Sequence, residues 1–161
     1  MNILGLDLGT KIGYAYNIGG GFYCGTWALA TPAEIRAAGK DRSNRRNDPR
    51  TRKLCELLSG LPEFDVVVFE DVQFASSTYQ VQLWAGLRSA VNLCAHAKYF
   101  DCVPVQTLKK FAACGNATKT IMGDALKQKH PEIWDPNLGE DAIDAAWVWL
   151  WAKQNLSRMK L

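Results

Sequence analysis

Apolar positions fall into short runs in the first third of the chain and into stripes spaced by three and four later on, so the pattern moves from strands towards helices. Residues 2–7, Asn-Ile-Leu-Gly-Leu-Asp, make an apolar run of strand length that ends in a carboxylate and is followed by Gly9 and Gly13. Residues 12–18 predict a second strand, Gly19-Gly20-Gly21 a turn, and residues 22–29 an aromatic-rich third strand, together an antiparallel three-strand meander. Thr31-Pro32-Ala33-Glu34 predicts a helix start, with a threonine cap, proline first and an acid third. Helical character returns over residues 51–58, and the turn-forming residues 44–49 predict a break between the two segments. Residues 65–70, Asp-Val-Val-Val-Phe-Glu, are apolar on both faces, as a central strand covered by helices should be, and they too end in a carboxylate. A long helix is expected over residues 77–99, with Val81, Trp84, Leu87, Val91 and Ala95 along one stripe. A short strand over 102–105, helices over 107–113 and 118–130, and a last helix over 139–155 with Ile143, Ala146, Trp147 and Leu150 on its apolar side complete the pattern. This order defines an α/β layer protein with a mixed sheet.

Length and composition narrow the class. A chain of 161 residues with 48% hydrophobic and 22% charged residues is expected to form a single domain over 1–161, and a disordered or low-complexity protein is excluded. The apolar stretches 66–69 and 145–152 fall short of the roughly 20 residues that span a bilayer, and no signal peptide is visible. A cytoplasmic protein is expected. The five cysteines, an odd number without a CxxC pair, predict reduced, buried thiols rather than a zinc knuckle or a disulfide framework. Charge is unevenly spread: residues 36–53 hold eight basic residues against Asp41 and Asp48, a local +6 in a chain whose net charge is +3. Such a segment is either a solvated loop or a surface for a polyanion.

The acids stand at special positions. Asp7 and Glu70 end two apolar strands, where α/β proteins commonly build sites, and Asp141 and Asp144 share one side of the last helix. Each has an ordinary alternative role: Asp7 as a turn cap, Glu70 as a surface strand end, Asp141 as a helix-start acid. Asp144, however, lies among Ala145, Trp147 and Val148, where an unpaired carboxylate costs several kcal/mol. Several acids together imply a cation. All-oxygen ligands suit Mg²⁺, or Mn²⁺ in its place, and neither His96 nor His130 has a zinc-like spacing. Two such ions about 4 Å apart can activate a water and stabilise a leaving phosphodiester oxygen, which is nuclease chemistry.

Asp7 in Ile-Leu-Gly-Leu-Asp-Leu-Gly-Thr-Lys-Ile-Gly-Tyr-Ala, Glu70 in Val-Val-Phe-Glu-Asp-Val and the Asp141-Ala-Ile-Asp144 pair resemble the four-acid signature of the RuvC family of Holliday junction resolvases, over nearly the whole chain. The segment from Pro104 through Lys109-Lys110 to Lys119 is similar to that family's lysine-bearing stretch, and the compact form is similar to phage-encoded members. The resemblance implies a ribonuclease H-like fold, a homodimer, and Mg²⁺-dependent nicking of Holliday junctions and other branched DNA in recombination and repair. Asp7, Glu70, Asp141 and Asp144 would then be the metal-binding catalytic acids, with Lys119 beside the scissile phosphate and Lys109 as its partner. Phe74, or as second choice Tyr79, would stack at the junction centre. The helix over 77–99, with Trp84 and Leu87, would form the dimer interface. Arg42, Arg45 and Arg46, together with Lys109 and Lys110, are the expected DNA contacts; Lys127, Lys153, Arg158 and Lys160 are the alternatives if the arginine-rich segment is only solvated.

Two departures bear on substrate choice: the stretch Ala113-Cys114-Gly115-Asn116 is shorter than the glycine-containing loop of the cellular enzymes, and the insert at 40–52 is unusually rich in arginine. A YqgF-like RNA-processing nuclease shares the opening motif and is the nearest alternative. A sugar kinase or actin-like ATPase would need a second phosphate-binding repeat and roughly twice the length. A non-catalytic DNA-binding module is disfavoured by the intact acid set.

Overall fold

The computed structural model describes residues 1–40, 48–71 and 77–158. Five strands, β1 (Ile3–Leu8), β2 (Lys11–Ile18), β3 (Gly21–Ala28), β4 (Phe64–Asp71) and β5 (Ala97–Pro104), form one sheet in the order β3-β2-β1-β4-β5. The first three make the antiparallel meander, turned at Gly19 and Gly20, whose φ angles of 57° and 83° suit residues without a Cβ. β4 lies parallel to β1, and β5 parallel to β4. Leu4, Leu6, Val66, Val67 and Val68 are fully buried, as expected for strands covered on both faces.

Among the described residues there are six α-helices around the sheet: α1 (Pro32–Lys40), which packs on α2, then α2 (Pro49–Ser59), α3 (Thr78–Cys94), α4 (Val105–Ala112), α5 (Lys119–Lys129) and α6 (Glu140–Asn155). The Thr31 cap forms as predicted: Glu34 accepts from the Thr31 backbone N–H at 2.7 Å, and Thr31 Oγ1 accepts from the Glu34 N–H at 3.2 Å. On one face, α6 lies against β1 and β2 and is flanked by α4 and α5. Its tryptophans bring their polar ends with them: Trp147 Nε1 donates to the Met122 carbonyl at 3.0 Å and Trp149 Nε1 to Asn17 at 2.9 Å. On the other face, α2 and α3 cover Leu4, Leu6, Val67 and Phe69. Among the described residues, no helix is long and apolar enough to cross a membrane.

Three expectations are corrected. The long helix stops at Cys94 rather than residue 99, and the following strand begins at Ala97 rather than 102, because residues 97–104 pair along the whole of β4 and ladder formation overrides the helix-compatible local sequence. The buried stripe of α3 is Leu83, Leu87, Ala90 and Val91, while Val81 is 54% exposed. Leu87 and Val91 of the expected stripe are buried and Trp84 and Ala95 pack against the same core, joined by Leu83 and Ala90, while Val81 in the first turn lies outside it. Finally, the cysteines are not all reduced: Cys55 and Cys94 form a disulfide that joins α2 to α3, with Cα atoms 5.2 Å apart. Cys24, Cys102 and Cys114 are free, and Cys114 is exposed.

Candidate active site

Strand register brings the first two acids together. Leu6 of β1 lies opposite Phe69 of β4, so Asp7 and Glu70 follow side by side at the carboxyl ends of adjacent parallel strands. Two glycines then allow α6 to reach them. A Cβ at Gly13, the residue opposite Asp7 on β2, would lie 1.8 Å from the Asp141 carbonyl oxygen, and one at Gly5 would lie 2.6 Å from the Trp149 backbone nitrogen. With both side chains absent, the α6 backbone presses on the sheet and delivers Asp141 and Asp144 to the Asp7–Glu70 edge.

The electrostatics follow from that crowding. Burial, then the negative charge of Glu70 and Asp144, push the Asp7 carboxyl well above the usual carboxylate range, and the two neighbouring carboxyls lie within hydrogen-bonding reach of each other. Burial likewise raises Glu70, an effect countered by the hydrogen bond from Asp7 and by Lys109 and Lys119. Asp144, 16% exposed, is raised by burial against the opposing pull of Lys119. Lys119 caps this acidic wall: its Nζ stands 3.5 Å from Asp144, 3.8 Å from Asp141 and 3.6 Å from Glu140. Burial alone would lower the Lys119 ammonium, but Asp144, Asp141, Asp7 and Glu140 together hold it up. Thr118 sets its position by capping α5, accepting from the Ile121 N–H at 3.4 Å.

The donor set is all oxygen and carries more half-buried negative charge than its lysine neutralises, which fits a hard divalent cation in chemistry. As arranged, no three acidic, histidine or cysteine side chains among the described residues close around a single point. The Lys119 ammonium stands beside two of these carboxylates, Asp141 and Asp144, and beside Glu140.

The structure thus gathers Asp7, Glu70, Asp141, Asp144 and Lys119, with half-buried Lys109 close enough to act on Glu70 and Asp144. Lys110 is exposed, its stem lying against Gly115. Asp71 pairs with Arg88 at 3.1 Å, away from the cluster. Arg42, Arg45, Arg46 and Phe74 lie outside the described residues, as does Lys160. Tyr79 is half exposed, and its hydroxyl contacts Arg50 and Asp48. That group was missed in the sequence: Arg50 is 3% exposed, the one buried charged residue among those described, and donates to Asp48 through Nε at 2.8 Å and Nη2 at 2.6 Å. Its only signal was the Asp-Pro-Arg start of a helix.

The sheet order, in which β2 alone runs antiparallel to its neighbours β3 and β1 while β1, β4 and β5 are parallel, with acids at the ends of β1 and β4, defines the ribonuclease H-like class of fold. Among solved structures the chain is similar to Thermus thermophilus RuvC, at 15% identity over 96% of each chain with a TM-score of 0.54. It is also similar to T. thermophilus RuvC in complex with Holliday junction substrate, at 14% identity over 98% of this chain and 96% of that one, with a TM-score of 0.58. A third likeness is to the yeast mitochondrial Holliday junction resolvase Ydc2, at 13% identity over 97% of this chain and 82% of that one, with a TM-score of 0.52. No family model matches, and no curated protein matches by sequence.

Proposed function

We propose that the chain is a divalent-metal-dependent endonuclease that nicks branched DNA, four-way junctions among its substrates. The observation that carries this is the convergence of four carboxylates and one lysine from β1, β4, α5 and α6 on one edge of a fold shared with junction resolvases. Asp7, Glu70, Asp141 and Asp144 would hold Mg²⁺, which Mn²⁺ can replace; when bound, the ions supply charge to activate water and to stabilise the leaving oxygen. The chain's own part is to set these carboxylates on rigid elements and to place the Lys119 ammonium where negative charge grows on the phosphoryl oxygens. Lys109 supports it electrostatically from α4.

A homodimer suits a four-way junction, which offers two equivalent strands to two symmetric sites. Leu87 is fully buried and cannot serve an interface, whereas the outer side of α3 carries Val81, Ala85, Ser89 and Leu93 at four-residue spacing, with Leu93 83% exposed. That stripe is the proposed two-fold contact. Light scattering should show about twice the mass of one chain, falling to one chain's mass in Leu93→Glu.

Labelled four-way junction, fork, duplex and structured RNA incubated side by side with Mg²⁺ test the activity. Nicking of the branched DNAs, lost in Asp144→Asn, is the expected result. Cleavage of the RNA alone would replace this function with that of a YqgF-like nuclease, and no cleavage of any substrate would refute it.

A further inference from the structure

At the edge of the acid cluster, Asp141 lines a cleft of about 660 Å³ that is also walled by Gly25 and Thr26 of β3, by Asn137 to Glu140 at the start of α6, and by Lys11. A second cleft, of about 860 Å³, begins at the same Lys11 and runs between the end of β3, α1 and the first turns of α2, where Arg52 and Lys53 line it. Lys11 is therefore a wall common to both. The acids along this path are largely committed or outnumbered in the second cleft: Glu34 accepts two hydrogen bonds from Thr31, and Glu56 pairs with Lys53 at 3.3 Å. Asp135, Glu140 and Asp141 line the first cleft, on the side of the carboxylate cluster. Lys11 and Arg52 are exposed and have no ion-pair partner among the described residues.

The position of Arg52 is built rather than incidental. Asp48 caps α2 by accepting from the Arg50 N–H at 3.0 Å, and the buried Arg50 side chain joins Asp48 and Tyr79, which ties the first turn of α2 to that of α3. Two residues further on, a helix turns its side chain to the opposite side, so locking Arg50 inward holds Arg52 towards the cleft. A site crowded with carboxylates repels a phosphodiester, and cations on its flanks must hold the strand there. Lys119 and Lys109 stand on the α4–α5 flank, and Lys11 stands on the other.

We propose that the two clefts form one groove for a single nucleic-acid strand leaving the cleavage site, with Lys11 contacting the phosphate nearest the acids and Arg52 one further along. The ligand is a sugar-phosphate backbone, recognised without regard to base sequence. A lysine serves there as a point charge and an arginine as a fork to phosphate oxygens. This rests on the nuclease function proposed above.

The test is the salt dependence of binding to a fluorescent four-way junction and to a structured RNA, measured by anisotropy in chelator so that no cleavage intervenes. Each phosphate contact contributes about 0.7 (single strand) to 0.9 (duplex) to the slope of log affinity against log salt, so Lys11→Gln with Arg52→Gln should flatten it by about 1.4 to 1.8, and either change alone by about 0.7 to 0.9. The single variants carry the test if the double variant fails to fold by circular dichroism. Lys98→Gln, at the opposite end of the parallel strands and paired with Asp65 at 2.7 Å, should leave the slope unchanged. An unchanged slope in the Lys11 and Arg52 variants, from a parent chain that binds and nicks junctions, would overturn the groove and leave the nuclease standing. A parent chain that neither binds nor cuts either nucleic acid would overturn both. Flattening on the junction alone assigns the groove to DNA, and flattening on both assigns it to backbone shared by DNA and RNA.

Discussion

The two faces of the sheet solve the covering problem differently. On the α6 face, a single helix with nine buried residues is pressed so close to β1 and β2 that two strand positions admit only glycine, and the acids ride on that contact. On the α2–α3 face, two helices with ordinary apolar stripes lie over the sheet and are fastened to each other by the Cys55–Cys94 disulfide and by the Asp48–Arg50–Tyr79 group. Close backbone approach fixes carboxylates in place against their mutual repulsion, so it belongs under a site. Side-chain fastenings hold two helices together without drawing either against the strands. The second face is thus left to carry surfaces, the α3 stripe and the groove past Arg52.

The largest effect expected is on the α6 face. Asp7→Asn or Asp144→Asn should lower junction nicking at least about 10³-fold while junction binding in chelator survives, because phosphate contacts lie on other residues. Lys119→Ala should follow at about 10²-fold in single-turnover rate with a smaller change in affinity. Rate assays beside anisotropy separate the two quantities, and an Asp144→Asn enzyme with near-parental nicking at limiting Mg²⁺ would dissociate the acid cluster from the chemistry.

Stability should divide along the same line. Gly13→Ala forces a methyl group into the Asp141 carbonyl and should cost more than about 3 kcal/mol in denaturant unfolding, since a backbone atom cannot step aside as a side chain can. At Gly25 the added methyl meets only the Tyr14 ring, so Gly25→Ala should cost about 1 kcal/mol. On the other face, Arg50→Ala strands Asp48 and should cost about 3 kcal/mol, and Cys55→Ser with Cys94→Ser about 2 to 4 kcal/mol. Equal costs at Gly13 and Gly25 would mean that α6 is not held by close approach.

The smallest effect, and the sharpest contrast, is in pH. Burial raises the Asp7, Glu70 and Asp144 carboxyls, so the folded protein binds more protons than the unfolded chain at pH values from the ordinary carboxylate range up through the raised values; these acids therefore cost stability as pH climbs through that window. Asp48 is lowered, chiefly by its hydrogen bonds from Arg50, so its contribution is present above the ordinary carboxylate value and is lost as pH falls through its lowered one. In chelator, Asp7→Asn should raise the melting temperature relative to the parent above about pH 4, increasingly towards neutrality, whereas Asp48→Asn should lower it. Melting curves from pH 3 to 8 would show whether the two profiles diverge; parallel profiles would break the contrast.

What the chain's order of residues determined by itself is local or periodic. The meander, the two apolar strands with terminal carboxylates, the Thr31 cap and the last helix are written in runs, turns and spacings that act within a few residues, and the acids Asp7, Glu70, Asp141 and Asp144 were identifiable from their places at strand ends and on one helix. Everything decided by packing needed the tertiary structure. The exposure of Val81 and the burial of Leu83 and Ala90 on α3, the conversion of residues 97–101 to strand and the pairing of Cys55 with Cys94 depend on partners distant in sequence, and the relevant periodicity or cysteine count is compatible with more than one outcome. The role of Gly13 could not be read from its neighbours either, because it is set by the Asp141 carbonyl far along the chain. Arg50 is the plainest case: within a run of surface-like basic residues it looks like any other, and only the closing of α2 on α3 buries it, because a guanidinium leaves water only where a carboxylate and a hydroxyl are already in place to receive it.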